Sequence, residues 1–200
     1  DGVETMYKRK LGYKVQCGFG LQGVCCRNCG MGPCRISAKT PRGLCGADEH
    51  TIVGRNFARM VAGGTAAHSD HARDITHTLA LTKPGGDYQV KEPQKLVEFA
   101  KFMDVDPEGK DVYELAHEVA EVCLMEFGKP FGVSKLLKRA PKVRQEIWHN
   151  LGIEPRAIDR EIATVMHSTH IGCCADLEAI IAMSMRCSMA DGWAGSMIGT

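Results

Sequence analysis

The sequence predicts an all-α fold wrapped onto a cysteine-rich loop. Three observations predict it. Apolar residues recur at helical spacing over most of the chain beyond residue 50. Helix-starting and helix-ending residues bracket those stretches. Six of the ten cysteines crowd between Cys17 and Cys45, in a run with a period near neither 3.6 nor 2. No strand alternation appears before Gly192, and no internal repeat.

In chain order, residues 1–50 form the cysteine-rich segment. Its glycines Gly18, Gly20, Gly23, Gly30, Gly32 and Gly43 let backbone N–H groups approach a bound group closely. Residues 51–190 form a helical domain. Thr51 to Leu81 and Pro93 to Met103 read as helices, with Gly85-Gly86 breaking the pattern between them. Asp111 followed by Glu114 is a helix start, and Val112, Leu115, Val119, Val122, Cys123 and Phe127 form one apolar stripe before Gly128. Pro141 opens the next helix, with Val143, Ile147, Trp148 and Leu151 expected to face inward. Pro155 opens another through Ile158, Ile162 and Val165. Ala175 to Met189 is apolar nearly all round and is expected to be buried. Residues 191–200 are expected to begin a following α/β domain.

Composition narrows the function. The chain is 44% hydrophobic and 24% charged, as ordinary globular proteins are. Lys and Arg total 25 against 24 for Asp and Glu, so a formal charge of +1 offers no footprint for nucleic acid or an anionic membrane. No apolar run is long enough for a membrane span, and the opening DGVETMYKRK has no apolar signal region. The expectation is a soluble, cytoplasmic protein. The first residue is not Met, and the last stretch, Gly195 to Thr200, is apolar and Gly-rich without a helix stop, so the chain is expected to be part of something longer.

Clustered thiols in such a chain point to metal binding in a reducing compartment rather than to a disulfide framework. The spacing is Cys17-x7-Cys25-Cys26-x2-Cys29-x4-Cys34-x10-Cys45. Four thiolates suffice for a cubane of four irons and four sulfides. Cys26, Cys29, Cys34 and Cys45 suit that description, with a close trio and a distant fourth. Zinc is the competitor, but Cys-x2-Cys zinc sites come as two such pairs and the second is missing. Cys17 and Cys25 remain, too few to close a cubane, and Cys25 adjoins Cys26, so the two side chains are expected to point toward different metals. A twofold dimer doubles the pair to four ligands around a cluster on the axis. Two spare structural thiols are the bland alternative.

The run from Cys17 to Ile36, followed by Gly43-Leu44-Cys45-Gly46-Ala47-Asp48, resembles the opening of the nickel carbon monoxide dehydrogenases. By that resemblance Cys26, Cys29, Cys34 and Cys45 hold an intramolecular 4Fe–4S B-cluster. Cys17 and Cys25 from both subunits hold a bridging D-cluster. Some family members have a shorter spacing at the bridging pair and a 2Fe–2S centre; the seven residues intervening here resemble the 4Fe–4S type. The resemblance implies a homodimer that oxidises carbon monoxide with water, reversibly, and passes electrons to a ferredoxin-like acceptor. It also leaves room for an acetyl-CoA synthase partner. The ligands of the catalytic nickel–iron–sulfur C-cluster are expected beyond Thr200, where Rossmann-like α/β domains follow. Other readings are a stand-alone iron–sulfur electron carrier and a relative of the hybrid-cluster proteins.

A second stretch, Ala66 to His77, matches the same family. Positions three apart on a helix are neighbours, so His68, His71, Asp74 and His77 form a staircase along which titratable groups could pass protons. The family resemblance suggests a proton path there, although its pattern commonly has His where this chain has Asp74. A polar helix surface is the alternative. Ala190 to Gly199 also resembles the family. His167, His170, Cys173 and Cys174 have ligand-like spacing but read better as capping and core residues. Cys123 and Cys187 read as buried thiols, and Arg27 and Arg35 flank cluster ligands.

Overall fold

The computed structural model describes residues 2–171 and 173–198, with the side chains of 193–196 and 198 left aside. Gly199 and Thr200, at the end of the family-like segment, lie outside the described residues. Among the described residues the regular structure is helical apart from one short strand pair.

Helix α1 (Met6–Gly12) starts where the Thr5 hydroxyl accepts the Lys8 N–H, and it buries no residue. A single turn, α2 (Gly18–Leu21), begins at Cys17. The antiparallel pair β1 (Cys25–Cys26) and β2 (Cys34–Arg35) follows. At two residues per strand, neither is long enough to show alternation in sequence, so the pairing corrects the strandless reading of this loop.

Helix α3 (Glu49–Ala80) is the spine. The Asp48 carboxylate accepts the Thr51 N–H at 2.9 Å and caps it. Its buried residues Ile52, Arg55, Ala58, Ala62, Thr65, Ser69, Ala72 and Thr76 recur every three or four positions. The small members of that stripe let helix α8 (Leu177–Ile198) lie along it, with α7 (Ile158–Ser168) packed beside both. Helix α5 (Val112–Gly128) packs on α3 as well and carries α4 (Pro93–Phe102) on its flank. Its start is the capping box read from the sequence: Asp111 accepts the Glu114 N–H at 3.0 Å, and Glu114 accepts the Asp111 N–H at 3.0 Å. A 3-10 turn (Lys135–Arg139) and α6 (Lys142–Asn150) complete the order.

Among the described residues three apolar clusters result. The largest joins Leu115, Val119, Cys123 and Phe127 of α5 to Leu96, Ala100, Leu136 and Ile158. A second joins Ala58 and Ala62 to Val165, Ile180 and Cys187. The third lies under the cysteine loop, where Cys26, Ile36, Ala47 and Ile52 meet. Buried carboxylates are satisfied. Glu161, 1% exposed, takes Arg156 in a two-armed pair at 2.8 and 2.9 Å. Glu126 accepts Lys129, Ser134 and the Lys135 N–H.

Two burial expectations are corrected. Helix α6 buries none of its residues: Val143, Ile147 and the cap residue Leu151 are exposed and Trp148 is half-buried, because its main packing partner is the neighbouring 3-10 turn. Helix α8 is buried on one face, through Ile180, Ser184, Cys187 and Ala190, whereas Leu177, Ile181 and Met185 remain partly exposed, the first two beside Val53, Gly54 and Phe57 of α3. Pro141 is the residue before α6, and Pro155 lies upstream of Ala157, the cap of α7. Helix α8 runs without a break across residues 190 and 191.

Candidate functional site

In a strand pair, successive side chains point to opposite faces, and directly opposed residues share one. Cys26 pairs with Cys34, and Cys25 with Arg35. Cys26 and Cys34 therefore project to one face while Cys25 projects to the other. Cys26 is buried and Cys25 half-buried.

On the first face, Cys26, Cys29, Cys34 and Cys45 line one small enclosed cavity. Its wall needs glycine at Gly32, where a Cβ would lie 3.1 Å from the Cys34 N and 3.2 Å from the Cys26 O. Cys45 is brought to the wall by a turn. Gly43 N–H donates to Ala47 O at 2.8 Å, Gly46 N–H donates to Gly43 O at 2.9 Å, and Gly46 adopts a φ of +86° that disfavours a side chain. A 4Fe–4S cage takes one thiolate at each of four separate irons, and four thiols lining one cavity supply that donor set.

Cys17 and Cys25 do not line that cavity. Cys17 is exposed at the start of α2, where the Gly20 and then the Phe19 backbone, aided by the Arg35 charge, hold its thiol below the ordinary value. The thiolate is the ligating form. Arg35 itself lies over the Phe19 ring, 5.7 Å from its centroid.

The first turns of α3 tie the cysteine loop to the segment after α7. Asn56 donates to Gly23 O at 2.9 Å and to Cys25 O at 3.1 Å. Thr51 donates to Ala175 O, and Arg59 to the Thr169 hydroxyl. Arg55, 2% exposed, directs its Nε to Cys174 O at 3.1 Å and one terminal nitrogen to Cys45 Sγ at 3.4 Å; its other terminal nitrogen also donates to Cys174 O. Sequence reading missed Arg55 and Asn56. The available signal was a cation at position 55 on an otherwise small and apolar stripe.

His68, His71, Asp74 and His77 all lie exposed on α3. His68 Nδ1 and Asp191 Oδ1 are 2.5 Å apart, a partner that the sequence reading also missed. Among the described residues, the side chains of His71, Asp74 and His77 make no hydrogen bond to one another. His167, His170 and Cys173 are exposed and form no ligand group among the described residues; Cys174 serves through its carbonyl. Cys123 and Cys187 are buried, and burial pushes both thiols up.

A profile of the Prismane/CO dehydrogenase family matches residues 24–200. Carbon monoxide dehydrogenase 1 of Methanosarcina acetivorans is 47% identical over 205 aligned residues, covering 100% of this chain and 33% of the relative. The nickel-free crystal structure of carbon monoxide dehydrogenase from Thermococcus sp. AM4 superposes with a TM-score of 0.92 at 46% identity, over 100% of this chain and 32% of that one. A structure of acetyl-CoA synthase/carbon monoxide dehydrogenase superposes at 0.90 with 34% identity, over 98% and 30%. The chain thus spans about a third of the length of these relatives, their N-terminal part. Among the described residues no helix is long and apolar enough to cross a membrane.

Proposed function

The chain belongs to the Prismane/CO dehydrogenase family, and on that footing we propose that it is the electron-transferring region of an anaerobic carbon monoxide dehydrogenase. The whole enzyme would oxidise carbon monoxide with water to carbon dioxide, reversibly, and deliver electrons to a ferredoxin-like acceptor in the cytoplasm. The observation that carries this reading is the set of four thiols, Cys26, Cys29, Cys34 and Cys45, around one cavity beside a strand pair that turns Cys25 away.

A 4Fe–4S centre, when bound, accepts and releases one electron at a time. Cys26, Cys29, Cys34 and Cys45 would hold one as the B-cluster. Cys17 and Cys25, with the same pair from a second copy, would hold another as the D-cluster on a twofold axis. This chain's residues do the rest. Apolar Ile52 and Ala47 keep water from the first site, and Asn56 fixes the backbone that carries Cys25. The nickel–iron–sulfur C-cluster, where the bond-making occurs, takes its ligands from outside residues 1–200 in this reading. So residues 1–50 bind clusters, 51–190 form their helical support, and 191–200 lead into the catalytic domains. His68, His71, Asp74 and His77 would carry protons along α3, with Asp191 orienting the His68 ring. An acetyl-CoA synthase partner fits the name of one structural relative.

The full-length polypeptide, purified anaerobically and loaded with iron, sulfide and nickel, tests the reading. Carbon monoxide is expected to bleach the iron–sulfur absorbance and to reduce an added viologen. Clusters that dithionite reduces but carbon monoxide does not would make the protein a stand-alone electron carrier instead.

A further inference from the structure

Arg55 is the one charged side chain on the wall of the four-thiol cavity among the described residues. At 2% exposure it has almost no access to solvent. Among the described residues no carboxylate pairs with it: its nitrogens reach Cys174 O and Cys45 Sγ. A buried cation is retained when an anion or a dense set of acceptors compensates it. One carbonyl and one thiol do not supply a full negative charge. Four thiolates around a 4Fe–4S core would, since an oxidised core of charge 2+ with four thiolates carries a net charge of about −2.

We infer that Arg55 is the counter-charge of the Cys26–Cys29–Cys34–Cys45 cluster and sets its reduction potential through a hydrogen bond to Cys45 Sγ. The inference rests on the cluster assignment proposed above. One-electron reduction takes the complex from about −2 to about −3 without making or breaking a bond, the electron coming from the catalytic centre or from dithionite. A fixed cation at the sulfur stabilises the more negative state, so it raises the potential. The fork of the guanidinium matters as well as its charge: one edge holds the Cys174 carbonyl while the other faces the sulfur. A lysine, with a single ammonium, cannot reproduce both contacts. Arg55 is thus a positioning residue that acts through Cys45.

The test uses the full-length holoenzyme. In unmutated protein carrying arginine labelled with nitrogen-15 in the guanidinium, pulsed electron paramagnetic resonance of the dithionite-reduced cluster is expected to show a nitrogen-15 coupling. In Arg55→Lys that coupling is expected to vanish. In redox titrations, Arg55→Gln is expected to shift the midpoint of this cluster to a more negative potential, with Arg55→Lys in between and four irons per subunit retained at the site. Absence of the coupling in the unmutated protein overturns the inference even if both variants lose the cluster. Retained clusters with an unshifted midpoint overturn it too. A protein without any 4Fe–4S signal would instead remove the assignment on which the inference stands.

Discussion

Cys26 and Cys34 stand directly opposite each other in the β1–β2 pair, on the face that Cys25 does not share. Two residues per strand are enough to sort three cysteines, because the pleat inverts the side-chain direction at every step. A one-residue slip of the register would exchange the two faces and move Cys25 to the cavity. The strand pair therefore does chemical sorting out of proportion to its size. Asn56 ties the β1 side of that pair to α3, by bonding Gly23 O and Cys25 O.

Asn56→Ala removes both bonds and leaves two carbonyls to find other donors. The expected loss is about 1–3 kcal/mol, read as a lower denaturant midpoint at an unchanged slope in the full-length protein. An unchanged midpoint would mean that other contacts hold β1 to α3.

Glu161→Ala strands the Arg156 guanidinium and removes the nearest carboxylate of Arg186, whose buried Nε already lacks a hydrogen-bond partner among the described residues. Because the Arg156 side chain is 35% exposed and keeps its bond to the Thr164 hydroxyl, the expected cost is about 1–3 kcal/mol. Thermal unfolding should show it as a lower Tm; a drop no larger than that of a surface substitution contradicts the role given to this pair.

Burial, and then the Glu126 carboxylate, pushes the Cys123 thiol from 9.0 up to about 12. Between those values the unfolded chain has lost this proton and the folded chain keeps it. The folded state binds more protons there, so stability falls as pH rises through the window, by about 1.4 kcal/mol per pH unit from this group. Below the unfolded value the group contributes no pH dependence. Denaturant midpoints followed upward from neutral pH should fall less steeply in Cys123→Ala than in the parent, and parallel curves would contradict this.

Asp191→Asn keeps the shape of the His68 partner and removes its charge. If His68 starts a proton path, turnover of carbon monoxide by the whole enzyme is expected to fall roughly tenfold or more, since acid–base groups contribute about 10²–10⁴, while iron content stays the same. Unaltered turnover would leave His68 as an ordinary surface residue.

Much of the helical frame was legible in the sequence because helix starts are local: Asp111 and Glu114 are three residues apart and bond each other. Burial was less legible because it depends on neighbours. Val143 and Ile147 on α6, Leu151 at its cap, and Leu177, Ile181 and Met185 on α8 keep 38% or more of their surface exposed. The cysteine spacing pointed to the thiols that line one cavity, since Cys26, Cys29 and Cys34 form a close trio with Cys45 as a distant fourth. Arg55 and Asp191 escaped notice because the fold brings each to a distant partner, Cys174 at 119 residues and His68 at 123.

Iron quantified per subunit in purified full-length variants tests the division of the six thiols most directly. Cys26→Ser is expected to remove one 4Fe–4S cluster from every subunit, and Cys17→Ser or Cys25→Ser one cluster from every dimer, half as much iron. Equal losses from all three variants, or zinc in place of iron in the parent protein, would contradict the account.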